Sequence, residues 1–135
     1  MQNTFGYMPT GGPWEQQQWF NAQPYEVLTT TAIPQWDVLQ KQVRLLTLLA
    51  STTHTMAFPL SIRRGATYIL YVKQPAATGN AAITWTNQVA NLGSGVWRWS
   101  AATAPTITVT AAAASCLTFF CDGVDMIGTS VLDMR

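Results

Sequence analysis

Residues 66–87 read ATYILYVKQPAATGNAAITWTN, and the fold class turns on them. ATYILYVKQ (66–74) is rich in aromatic and β-branched residues, which suit a pleated, half-buried strand. PAATGN (75–80) brings Pro, Gly and Asn together and predicts a hairpin-type loop. AAITWTN (81–87) then alternates, with Ile83 and Trp85 on one face and Thr84 and Thr86 on the other.

Similar short signals recur on both sides of this stretch. Val43 to Ala50 and His54 to Leu60 read as strands before it. Val96 to Trp99, Thr106 to Thr110 (TITVT), Ser115 to Cys121 and Val124 to Met134 follow, the last two joined by a turn at Asp122 and Gly123. The AAAA run at 111–114 is read as a strand end or crossover, because four alanines cannot nucleate a helix in water. Residues 37–42 fit either the start of a short helix capped by Asp37 or an extended lead into the strand at 43–50. About eight short strands at this spacing predict an all-β fold, an antiparallel sandwich or jelly-roll-like barrel.

The first 36 residues differ in character. They hold Pro9, Pro13, Pro24 and Pro34, glycines at 6, 11 and 12, and no sustained periodicity, so an extended N-terminal arm is expected over 1–36 and the β-domain over 37–135. The arm carries Phe5, Tyr7, Trp14, Trp19, Phe20, Tyr25 and Trp36. Disordered segments are poor in aromatics, so these rings must be buried. They pack either on their own domain or on a neighbouring subunit, where aromatic anchors dominate binding energy.

The chain has 135 residues, the size of one domain, and charged residues make up 10% of it against about 25% in an ordinary soluble domain. A surface of Thr, Ser, Gln, Asn and Ala lacks the like-charge repulsion that keeps monomers apart, so permanent association is expected. The net charge is +1 and the adjacent basic pair is Arg63 and Arg64. No basic stripe exists to neutralise many phosphates, so direct nucleic-acid binding is not expected. No apolar run is long enough to span a bilayer, and MQNTFGYMPT lacks the pattern of a secretory leader. No membrane partner is expected.

Catalysis finds little to work with. Of six carboxylates, Asp122 and Asp125 flank a predicted turn, and Asp before Gly is ordinary turn chemistry. His54 is the one histidine, and its place among threonines at a strand start predicts a solvent-facing or singly hydrogen-bonded ring. Cys116 and Cys121 would lie roughly 16 Å apart on an extended segment at about 3.3 Å per residue. A disulfide needs under about 7 Å, so two buried free thiols are expected. Zinc, calcium and phosphate-loop spacings are absent, so no enzyme activity, metal or cofactor is expected. Trp97 and Trp99 are two apart and share a strand face, with Arg98 opposite. Core packing is the plainer use of these tryptophans, and a sugar-stacking platform of Trp97, Arg98 and Trp99 is the alternative.

Read from Gly65, the pieces G-x-x-Y-x-L-x-V-K-Q, I-T-W, W-x-W, T-A-P-T-I-T, L-T-F-F-C-D-G and I-G-T-S follow in order. Together they resemble a module recurrent in structural proteins of tailed bacteriophages, over about half the chain. W-R-W-S-A-A stands where a W-P-x-G-type loop is usual in that module. The resemblance implies a virion protein. A single β-domain with an extended arm looks like a capsid cement or decoration protein, which would sit on the head exterior. It would contact the major capsid protein and copies of itself, often as a trimer. The alternative within the resemblance is a tail-fibre or tail-tip module binding a host-surface glycan.

Overall fold

The structure is a computed structural model and describes residues 25–87 and 95–135. Within them the chain is all-β: β1 (Glu26–Val27), β2 (Val43–Thr47), β3 (Thr53–Met56), β4 (Thr67–Lys73), β5 (Ala82–Trp85), β6 (Trp97–Trp99), β7 (Ala114–Cys121) and β8 (Met126–Met134). Six strands form one sheet in the order β1-β2-β4-β7-β8-β6, and β3 pairs with β5 in a second, two-stranded sheet.

The sheets are mixed, which corrects the antiparallel expectation. β1–β2, β2–β4, β6–β8 and β3–β5 are parallel, while β7 runs antiparallel to both β4 and β8. Parallel neighbours need a long crossover between them. The chain supplies one by sending β3 into the second sheet between β2 and β4. The terminal β7–β8 hairpin forms around Asp122 and Gly123 as the sequence predicts.

PAATGN also differs from expectation, because it carries the chain from β4 in the large sheet to β5 in the small one and closes no hairpin. Gln74 fastens this crossing from a fully buried position. Its Nε2 donates to Ala81 O (2.7 Å) and Thr108 O (2.9 Å), and its Oε1 accepts from Ala81 N (3.1 Å). TITVT is not a strand: Asn80 N donates to Val109 O (2.7 Å), so its backbone bonds partly to the loop, and of its two apolar residues Ile107 is buried and Val109 is exposed. Gly79 has a positive φ of 60°, and a Cβ there would fall 2.4 Å from Val109 O, so this crossing requires glycine.

Residues 37–42 form a single turn before β2. Asp37 Oδ1 accepts from Leu39 N, and Asp37 O accepts from Gln40 and Lys41 N, each at 3.1 Å. Residues 25–36, read as part of the arm from sequence, pack with their own domain. β1 extends the large sheet, and Leu28, Ile33 and Trp36 are buried in its core.

One core cluster draws on both sheets. Leu46, Leu70, Val72, Leu117, Phe119 and Met126 line it from the large sheet, and Met56 and Ile83 from the small one. Cys121 shares this face while Cys116 points the other way, and both are free thiols, Cys121 buried and Cys116 half-buried. Ser115 Oγ is buried without a hydrogen-bond partner among the described residues.

Candidate assembly surface

The large sheet has a second face, turned away from the core. Strand register aligns its side chains in rows: Val43, Ile69, Thr118 and Thr129 form one, and Leu45, Tyr71, Cys116 and Val131 the next. Neither row contains a charged residue. Thr67, Phe120, Ile127 and Arg98 flank them at one end, and Val27, Thr47 and Lys73 at the other.

Tyr25, Val27, Phe120, Ile127 and Val131 are each between 41% and 66% exposed, and half-buried Leu45, Ile69 and Tyr71 lie among them. Monomeric proteins rarely leave contiguous apolar patches of more than a few hundred Å² in water. Cations stand at the margins: Arg98 pairs with Asp125, and Lys73 Nζ sits 5.3 Å from the Tyr25 ring centroid. A face like this can bury area against a partner without desolvating an ion.

The sequence carried a signal for this surface that the strand reading did not use. TYILYVK has apolar residues on both parities at Ile69 to Val72, and LTFFC repeats this at 117–121. Near-continuous apolar strands mark sheets covered on both faces. Tyr68, Leu70 and Val72 enter the chain's own core, so Ile69 and Tyr71 are left on the other side.

Of the arm residues, Phe5, Tyr7, Trp14, Trp19 and Phe20 lie outside the described residues. Tyr25 stands on the outer face, edge-on to Tyr71 with centroids 6.3 Å apart. Trp36 is corrected as an assembly contact: it is 1% exposed, its ring meets Tyr68 and Phe119 edge-on, and its Nε1 donates to Lys41 O (2.6 Å). It anchors its own domain.

The sugar platform of Trp97, Arg98 and Trp99 is corrected at Trp97. That ring is buried among Phe58, Trp85 and Phe119 at centroid distances of 5.0–5.3 Å, and its Nε1 donates to Thr86 O. Trp99 is half-buried, 5.0 Å from Trp85 and 5.5 Å from Phe119. Arg98 projects to the opposite face as its parity requires. The loop after Trp99 places both Ala101 and Ala102 at positive φ, a conformation glycine adopts more easily.

The titratable groups serve the fold. Asp125 is buried, accepts from Val96 N and pairs with Arg98. Asp122 Oδ1 accepts from Asp125 N (2.8 Å) and Val124 N (2.9 Å), and these bonds hold its carboxyl below the usual range. His54 is fully buried and hydrogen-bonded at both ring nitrogens, where a solvent-facing or singly hydrogen-bonded ring was expected. Its Nε2 accepts from Leu49 N (3.2 Å), so Nδ1 carries the hydrogen and donates to Thr31 O (3.0 Å). Among the described residues no group of three or more His, Cys, Asp or Glu is placed to hold a metal ion, and no helix is long and apolar enough to cross a membrane.

No family model matches this chain, and no curated protein or solved structure matches it significantly.

Proposed function

We propose that this chain is a non-enzymatic structural protein of a tailed-phage virion, a capsid cement or decoration protein that bridges capsomers on the head exterior. The observation that carries the assembly part of this reading is the uncharged, apolar-studded outer face of the large sheet. The phage setting comes from the sequence resemblance. In this reading the two sheets are the layers of a sandwich, and the partners are the major capsid protein and copies of the chain itself, as a trimer at three-fold positions. Burying an apolar side chain contributes about 1.5–3 kcal/mol. Four or five such residues therefore approach the estimated 4–15 kcal/mol lost on association.

The test is co-sedimentation with purified heads that lack the protein. Ile127→Glu and Val131→Glu place charge on the outer face at exposed positions and should leave the fold intact while abolishing head binding. Retention of both variants on heads would remove the outer face from the proposal. The second reading, a tail-fibre or tail-tip module binding a glycan, keeps Arg98 and the open edge of Trp99 as its contacts. Glycan-array binding that weakens in Trp99→Ala, together with no affinity for heads, would favour it.

A further inference from the structure

The outer face of the large sheet matches a copy of itself better than it matches the other layer of the molecule. The small sheet turns Thr53, Thr55 and Thr84 to solvent, and Thr55 and Thr84 bond to each other through their hydroxyls. It offers hydroxyls where the outer face offers methyl groups and rings. Two sheets pack about 10 Å apart when apolar side chains on both faces interdigitate, and half-buried Val43, Leu45, Ile69 and Tyr71 stand in register for such a contact.

We propose that the free chain is a two-fold dimer closed through its outer faces, with the axis lying in the interface and running across the strands. That a head later takes the place of the second copy rests on the assembly reading above; the dimer does not. The area is sufficient. Six strands about 4.8 Å apart, most of them five to nine residues long, make a face of roughly 500–550 Å² at about 3.3 Å per residue. Two such faces together reach the roughly 1,000 Å² that a specific interface needs.

Charge sets the orientation. Lys73 stands at one end of the face, its ammonium near the Tyr25 ring, and it makes no ion pair among the described residues. Asp122 is exposed at the other end, in the turn between β7 and β8, where its Oδ1 accepts from Val124 N and Asp125 N. An axis across the strands lays the Lys73 end of each copy over the Asp122 end of the other, and two-fold symmetry makes that complementary contact twice. An axis along the strands would instead set Lys73 beside its own mate, cation against cation.

Cys116 reports on the dimer, because it lies in the middle of the outer face opposite Tyr71 and Val131. Cys121 is buried on the core side and serves as the folding control. The experiment follows the full chain without heads by sedimentation velocity and by labelling with an uncharged maleimide, from micromolar to several hundred micromolar protein. The mass should pass from monomer to dimer across this range, and Cys116 should label about tenfold more slowly at the top of it than at the bottom. Cys121 should stay protected throughout. Val131→Glu should remain monomeric, with Cys116 labelling at the fast rate at every concentration. Lys73→Glu should weaken the dimer about tenfold.

A monomer at every concentration would overturn the proposal, and Cys116 protected in that monomer would assign the cover to the chain itself. A trimer in free solution would overturn it as well. If Cys121 labels in Val131→Glu, that variant has unfolded, and Ile127→Glu decides instead. A dimer that survives the deciding substitution would overturn the outer face as its contact, and one indifferent to Lys73→Glu would overturn the crosswise axis. A Val131→Glu chain that is monomeric yet still binds heads would uphold the dimer and count against the assembly reading alone.

Discussion

Arg44 and Glu26 meet across the β1–β2 pairing as a two-point ion pair, Nη2 to Oε1 at 2.7 Å and Nε to Oε2 at 3.3 Å. Arg44 is 2% exposed, and its Nη1 also donates to Pro34 O. Lys41 closes on the same carboxylate from its exposed side. The cluster joins the two-residue β1 to the sheet and thereby fixes where Tyr25 enters the outer face.

Removing one partner should cost more than removing both. Glu26→Ala leaves the Arg44 guanidinium buried with one carbonyl for company, and about 3 kcal/mol of stability should be lost. Replacing the pair together, Arg44→Met with Glu26→Leu, should cost less than half of that, because apolar residues of similar volume fit a core position. Urea unfolding of the two variants beside the native chain makes the comparison. Equal losses would mean that the pair contributes through packing and not through charge.

The same pair sets an acid limit. Burial raises the Glu26 carboxyl, but hydrogen bonds and charge from Arg44 and Lys41 outweigh it and hold the group below its ordinary value of 4.5. The folded state therefore binds this proton less readily than the unfolded chain. Its stabilisation is complete above that ordinary value and is lost as pH falls through the lower folded value. Thermal midpoints of the native chain should drop on acidification below pH 4.5, and the Arg44→Met, Glu26→Leu double variant should show a shallower fall. Asp122 is lowered in the same direction and supplies part of the remaining slope.

What the sequence revealed depended on how local each cause was. β4 and the β7–β8 hairpin were legible, because alternation and an Asp-Gly turn are written within a few residues of each other. The parallel pairings were not, because the choice of β4 as partner for β2 depends on the strand between them leaving for another sheet. TITVT misled because alternating threonines suit any extended segment, and here the backbone bonds to a loop. Leu28, Ile33 and Trp36 were assigned to the arm because an irregular segment has no period by which to recognise its buried positions. Trp97 and Trp99 were placed correctly on one strand face, but parity alone does not say whether a face is covered.

Gly128 explains how Trp99 fits. It sits on β8 opposite Trp99 and Phe119, and a Cβ there would fall 2.3 Å from Trp99 Cζ3 and 2.9 Å from Phe119 Cε1. The indole occupies the space of the missing side chain. Gly128→Ala should therefore destabilise by about 1–3 kcal/mol through overpacking and should shift tryptophan emission toward the red as the ring is displaced. Gly128→Ala combined with Trp99→Leu should recover part of the loss. Thermal unfolding followed by fluorescence tests both, and an unshifted midpoint in the single variant would show that the cluster has room to spare.

Gln74 offers the sharpest test of how the two sheets are joined. Its amide nitrogen donates to two carbonyls, of Ala81 and Thr108, and its oxygen accepts from Ala81 N, all at a buried site. Gln74→Leu keeps the volume and orphans those three backbone groups, each costing about 1–3 kcal/mol when it stays dry, so a loss of about 3 kcal/mol or more is expected. Gln74→Glu separates polarity from hydrogen-bond direction. At neutral pH its carboxylate still accepts from Ala81 N but faces two carbonyl oxygens with no hydrogen to offer, so it should be at least as damaging as leucine. Once protonated it regains one donor, and Gln74→Glu should then recover stability relative to Gln74→Leu on moderate acidification, against the trend that Glu26 imposes on the native chain. A pH series of thermal midpoints for the two variants distinguishes these cases, and parallel curves would mean that water has entered the crossing and taken over the bonds.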